Sequence, residues 1–215
     1  HNVSSAASDV YKRQILLLNK ILKLNTKKII LFASGSGSNV EKICEFFKKD
    51  KNISVELLVC NNPKALVLKK AKMLNLKSIT IDKESFYKSS SVISKILRIK
   101  PDLIVLAGFL WKIPSNLIKA FPNKIINIHP ALLPKYGGKG MFGMHVHSSV
   151  IENKETKSGI TIHYVNEKYD DGAIIFQKEI DVQKIETPLT LSKKILEKEH
   201  LFFPRIIQKV LNDGE

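Results

Sequence analysis

From Lys27 onward, short apolar runs alternate with segments whose apolar residues recur at helical spacing, and few folds accept that alternation. Lys28–Ala33, Val55–Cys60, Ser78–Ile81, Asp102–Ala107 and Lys124–Ile128 read as strands. Between them, Val40, Ile43, Cys44, Phe46 and Phe47 mark one helix, and Ala65–Leu74 and Val92–Ile99 mark two more. A strand that is apolar along its whole length needs cover on both faces, and parallel neighbours need a crossover helix. The pattern therefore predicts one α/β domain with a mostly parallel sheet between two helical layers. After Pro130 the texture changes to a glycine-rich loop, Tyr136–Met144, and a short helix near Val146–Asn153. Ile160–Val165 and Ala173–Ile180 follow as a hairpin-like unit across a turn-rich stretch. Thr187 and Pro188 then open a last amphipathic helix as its N-cap and first residue.

The domain is expected over residues 27–213, with residues 1–26 an extension outside the fold. In that extension, Ile15–Leu18 is interrupted by Asn19, Lys20 and Lys23. The run is too short and broken to cross a membrane, and it lacks the small-residue cleavage site of a signal peptide. The chain of 215 residues carries a net charge of +15, yet only Arg13, Arg98 and Arg205 are arginine. Nucleic-acid readers use arginine forks interleaved with aromatics. Here lysines are spread along helix faces instead, which reads first as a lysine-rich solvated surface and second as a field that helps draw in anionic small substrates. Cys44 and Cys60 lack both a disulfide framework and metal-ligand spacing. Read as buried reduced thiols, they place the protein in the cytoplasm.

Ser34-Gly35-Ser36-Gly37-Ser38-Asn39 joins the first strand to the first helix. At that place backbone N–H groups and the positive end of a helix face a ligand, which suits a phosphate. A dinucleotide site would add a third glycine at fixed spacing and an acidic residue ending the second strand. Val40-Glu41 and Cys60-Asn61-Asn62 stand there instead. A merely structural turn stays open.

Asn127-Ile128-His129-Pro130 ends a strand, so Asn127 and His129 project from one face at the carboxyl edge of the sheet, where open α/β sheets bind ligands. An amide and a protonated imidazole can both donate to an oxygen that gains negative charge. A nearby carboxylate would hold the histidine cationic. Asp170 and Asp171 are candidates, although each also suits a turn. His145 and His147 flank Val146 in a loop, and His163 lies mid-strand; without a third ligand they do not read as a metal site.

Taken together, Ala33–Asn39, Leu106-Ala107-Gly108-Phe109, Asn127-Ile128-His129-Pro130-Ala131-Leu132-Leu133-Pro134 and the Asp170 turn resemble the phosphoribosylglycinamide formyltransferases, folate-dependent enzymes, over residues 27–211. The resemblance implies a three-layer, Rossmann-like α/β fold and transfer of a formyl group from 10-formyltetrahydrofolate to phosphoribosylglycinamide in purine biosynthesis. It implies no metal, no nucleic acid and no membrane, and a monomer or homodimer. It assigns catalysis to Asn127, His129 and Asp170, the substrate phosphate to Gly37, Ser38 and Asn39, and the glycinamide end to Glu199. The folate pocket falls on Leu110, Trp111, Lys112, Ile113, Asn127, Asn166, Glu167, Lys168, Tyr169 and Asp170. Trp111 stands where many members have arginine, Asp171 replaces a common glycine, and the 137–144 loop is longer than the short Pro-Gly connection often found. Another folate-dependent formyltransferase, a formyltetrahydrofolate hydrolase, or a basic nucleic-acid-binding protein are the alternatives.

Overall fold

The apolar runs assemble into one seven-stranded sheet. A computed structural model describes residues 8, 10–14 and 26–213, so the extension expected over 1–26 lies for the most part outside the described residues. The strands are β1 (Lys27–Ala33), β2 (Ile53–Cys60), β3 (Ser78–Thr80), β4 (Leu103–Leu106), β5 (Ile125–His129), β6 (Lys157–Tyr164) and β7 (Ile174–Asp181). Their order is β3-β2-β1-β4-β5-β6-β7. The first five are parallel, and β6 and β7 close the sheet antiparallel.

The helices are α1 (Ser38–Phe47), α2 (Leu66–Met73), α3 (Lys83–Tyr87), α4 (Ser91–Ile99), α5 (Ser115–Ala120), α6 (Met144–Glu152) and α7 (Pro188–Asp213). Alternate residues of β1 feed two separate cores. Ile29, Leu31 and Ala33 pack with α1, α2, α6 and α7, and Ile30 and Phe32 pack with α3, α4 and α5. This is the three-layer α/β arrangement, and it explains why β1 reads as a continuous apolar run: neither face meets water. Each fully buried side chain of this kind contributes about 1.5–3 kcal/mol.

Two short helices went unread in the sequence. Over its five residues α3 shows too little periodicity, and its signal is a capping box instead: the Asp82 carboxylate accepts from the Ser85 N–H at 2.7 Å, and the Asp82 N–H donates to Ser85 Oγ at 3.2 Å. Helix α5 spans six residues behind Pro114. The free thiols are Cys60, buried at the end of β2, and Cys44, half-buried on α1, where burial pushes the thiol up to about 11. Among the described residues no helix is long and apolar enough to cross a membrane.

In sequence order the chain leaves β1 toward β2 on one side and later returns to β4 on the other. The carboxyl ends of β1 and β4 therefore diverge, and a crevice opens there. Two hydrogen bonds of Ser34 brace its floor: the Ser34 N–H donates to the Gly108 carbonyl at 3.0 Å, and the Leu110 N–H donates to Ser34 Oγ at 2.9 Å.

Candidate active site

The crevice is a cleft of about 780 Å³ at the carboxyl ends of β1, β4 and β5. Its walls are the 35–39 and 107–110 segments, the 127–130 strand end, the 138–144 loop, Tyr169, Asp170, and one face of α7 ending at Glu199.

At the β1 end the loop is built on backbone. Gly37 is the N-cap of α1 with φ 71°, and its cap makes no side-chain hydrogen bond. A Cβ at Gly37 would also collide with the Val67 side chain on α2. Glycine is required there on both counts. Asn39 turns inward, and its Nδ2 donates to Glu199 Oε2 at 2.7 Å, linking α1 to α7. Burial pushes the Glu199 carboxyl up to about 7, with the Asn39 amide pulling the other way. Asn39 Oδ1 is buried without a protein partner.

At the β5 end four segments converge. His129 Nε2 lies 2.7 Å from the Tyr136 carbonyl, to which it donates, and Nδ1 lies 3.6 Å from Asp170 Oδ2. Asp170 Oδ2 also accepts from the Gly138 N–H at 2.9 Å. Asn127 Nδ2 stands 3.4 Å from Asp170 Oδ1 and 3.1 Å from His163 Nε2. Tyr136 and Asp170, which touch opposite sides of the His129 ring, both hold left-handed backbone, φ 57° and 51°. Strained non-glycine residues of this kind persist only where their surroundings over-determine them.

The electrostatics correct one expectation. Asp170 does pull the His129 pKa up, but burial of a ring only 3% exposed outweighs it, and the net shift is downward. Unliganded His129 is therefore neutral rather than cationic at neutral pH. Burial alone would raise the Asp170 carboxyl. The polar groups around it, the Gly138 N–H among them, hold it below the ordinary carboxylate value, so it stays an anion.

Of the residues singled out in the sequence, Gly37, Ser38, Asn39, Leu110, Asn127, His129, Tyr169, Asp170 and Glu199 all line the cleft. The others sit beside it. Ile113 is buried in the second core, and Trp111 packs against Phe86, Tyr87 and Phe109 with ring centroids 6.0–6.2 Å apart. Lys112 reaches across to Tyr169, its Nζ 5.9 Å from the ring centroid. Asn166 and Lys168 close the turn on themselves: the Lys168 N–H donates to Asn166 Oδ1 at 2.8 Å, and Asn166 Nδ2 donates to Asp171 Oδ2 at 3.4 Å. Glu167 is exposed on the same turn. Asp171 thus serves the turn and leaves Asp170 facing the cleft.

Two histidines that the sequence offers only as metal ligands stand close to the Asn127, His129 and Asp170 cluster. His147 sits on α6, buried; burial, with His129 nearby, depresses it to about 4, and its Nδ1 has no protein partner. His163 stands opposite Asn127 on β6. The signal for it was its spacing from Thr161, two polar residues on one face of an otherwise apolar strand, but only the antiparallel pairing with β5 reveals what they meet. Thr161 donates to the Ala131 carbonyl at 2.6 Å and accepts from the Leu133 N–H at 3.0 Å, fixing the turn after His129. Among the described residues no group of three or more His, Cys, Asp or Glu side chains could hold a metal ion.

Comparison with known proteins adds an independent line. Residues 27–207 match the formyl transferase family. A chloroplastic phosphoribosylglycinamide formyltransferase of Arabidopsis thaliana is 37% identical over 193 residues, covering 87% of this chain and 66% of that protein. The phosphoribosylglycinamide formyltransferase of Bacillus subtilis is 36% identical over 197 residues, covering 88% of this chain and 98% of that one. Among solved structures, phosphoribosylglycinamide formyltransferase from Bacillus halodurans superposes with a TM-score of 0.78 at 32% identity, covering 88% of this chain and 97% of the other.

Proposed function

The chain belongs to the formyl transferase family, and we propose that it moves the formyl group of 10-formyltetrahydrofolate onto the amine of 5-phosphoribosylglycinamide, a step of de novo purine biosynthesis. The observation that carries this reading is the meeting of Asn127, His129 and Asp170 at one end of a cleft whose other end is a glycine-serine loop opening a helix. The cleft volume lies within the range of sites for small organic ligands. Leu110, Met141, Phe142 and Tyr169 give one part of it an apolar lining suited to a flat ring system. Gly37, Ser38 and Asn39 suit the phosphate, and Glu199, with the unpartnered Asn39 Oδ1, suits the hydroxyl and amine donors of the rest of the acceptor.

10-Formyltetrahydrofolate supplies the carbon under attack. As the amine adds to it, the formyl oxygen gains negative charge and needs donors already in place. Asn127 offers the N–H that touches Asp170 only at 3.4 Å, a contact weak enough to yield. Neutral His129 has committed its one N–H to the Tyr136 carbonyl. It becomes a second donor by taking up a proton, and the attacking amine has one to lose. Asp170, an anion beside the ring, stabilises the imidazolium that results. Proton uptake by His129 and charge growth on the oxygen are then coupled. As the intermediate collapses, the bond between the formyl carbon and the folate nitrogen breaks and the imidazolium gives its proton to that nitrogen, which leaves formylated acceptor, deformylated folate and neutral His129.

The site acts on two small molecules, as a monomer or homodimer, and the compartment we propose is the cytoplasm, which keeps Cys44 and Cys60 reduced. An absorbance assay for deformylated folate, run with and without phosphoribosylglycinamide, tests the reading. Turnover that requires the acceptor is expected; equal turnover without it would make the chain a hydrolase.

A further inference from the structure

We propose that His163 is a positioning residue for the transfer: it dictates which end of the Asn127 amide faces the reacting oxygen. The inference rests on the reading above, in which Asn127 donates to that oxygen.

Strands β5 and β6 run antiparallel and set Asn127 directly opposite His163, so the two side chains share a face of the sheet. His163 Nδ1 lies 2.8 Å from the Tyr164 carbonyl. A carbonyl only accepts, so this nitrogen carries a ring hydrogen, and Nε2, which faces an amide nitrogen able only to donate, presents a lone pair. That lone pair is 3.1 Å from the Asn127 amide nitrogen, which donates to it. The nearest charged group, Asp170, reaches the same spot with Oδ1, 3.6 Å from His163 Nε2 and 3.4 Å from Asn127 Nδ2.

Rotating the Asn127 amide by half a turn would bring its carbonyl oxygen against both the His163 lone pair and the Asp170 carboxylate. Three acceptors would then converge with no hydrogen among them, in a place where His163 is only 2% exposed and water does not relieve the conflict. Buried acceptors left without donors are costly. The backbone carbonyl of Tyr164 thus fixes the imidazole tautomer, and the tautomer fixes the amide. One amide hydrogen is spent on His163. The other, loosely held by Asp170, is the one free to reach the oxygen. His163 touches neither the phosphate loop nor Glu199 in any hydrogen bond among the described residues, so its effect should appear in turnover rather than in acceptor binding.

The test is a double-mutant cycle on steady-state kinetics with phosphoribosylglycinamide and formyl folate, using His163→Met, Asn127→Ala and the double variant. His163→Met, which removes the acceptor at similar volume, should lower kcat roughly tenfold, with both KM values within about twofold of the parent. His163→Gln, whose carbonyl can accept the same hydrogen, should recover most of that loss. In the Asn127→Ala background His163→Met should cost nothing further, because there is no amide left to orient. An equal loss in both backgrounds, or Gln no better than Met, would mean that His163 only supports the fold, and the proposal fails. Parent-like turnover in Asn127→Ala itself would overturn the reading of the oxygen site. A damaged Asn127→Ala with an undamaged His163→Met would overturn this inference alone. Should the Met variant not fold, nitrogen NMR of the unsubstituted protein decides: the proposal requires hydrogen on Nδ1 of neutral His163, and hydrogen on Nε2 contradicts it.

Discussion

The two ends of the cleft are built on different plans. The β1 end is a contiguous stretch, residues 34–39, in which backbone and one obligatory glycine do the shaping. The β5 end draws on four separated segments: the 127–129 strand end, the Tyr136–Gly138 loop, His163 and Asp170. Its two imidazoles are buried, its backbone is left-handed at two non-glycine positions, and its donors are already engaged with acceptors of the same cluster. A phosphate bears its charge throughout, so a rigid backbone cradle suits it. An oxygen that becomes charged only in the transition state calls for groups that can exchange partners at that moment. One end should therefore govern binding and the other rate.

Substitutions can break that division. The largest effect should fall at the β5 end: Asn127→Ala or His129→Ala should each lower kcat by about two to three orders of magnitude, with KM for phosphoribosylglycinamide little changed. Near-parent turnover in both, read by the folate absorbance assay, would end the assignment. At the β1 end Gly37→Ala forces a Cβ into Val67 and an L residue into left-handed backbone. It should raise the KM for the phosphorylated substrate roughly tenfold or more and lower unfolding free energy by on the order of 2 kcal/mol. A parent-like KM in a folded variant would mean that the loop is only a turn.

Glu199→Gln sharpens the comparison, because it links the two helices behind the loop without touching the β5 cluster. The Glu199 carboxyl is raised from an ordinary 4.5 to about 7, so folding favours its protonated form. Its contribution to stability is fully present below about pH 4.5 and is lost as pH rises through about 7. An uncharged Gln keeps an acceptor for Asn39 and escapes that loss. The variant should be more stable than the parent at pH 8 by ~2 kcal/mol, with the advantage fading toward pH 5, while acceptor affinity falls several-fold. Denaturant midpoints at the two pH values check the first part, and an advantage independent of pH would refute it.

The same contrast explains what the sequence made legible. The alternation from β1 to β5 predicts a parallel sheet because continuous apolar strands have no other stable setting, and the glycine-serine loop is visible because its parts are neighbours in the chain. Asn127 and His129 are visible for the same reason. His163 was not, since its importance depends on a cross-strand partner 36 residues away. The charge on His129 was misjudged because proximity to a carboxylate can be guessed from a motif, whereas burial of the ring under the Tyr136 carbonyl cannot. Asp171 reads equally as a candidate carboxylate and as a turn residue, and only the bond it accepts from Asn166 assigns it to the turn.

The central claim is that His129 starts neutral and gains a proton as the oxygen becomes charged. Nitrogen NMR of His129 at pH 7, without ligand and with a tetrahedral, oxyanion-bearing analogue of the transferring carbon, tests it most directly. We expect a neutral ring with hydrogen on Nε2 in the unliganded protein and an imidazolium in the complex. A ring already cationic without ligand, or one that stays neutral in the complex, would contradict the account.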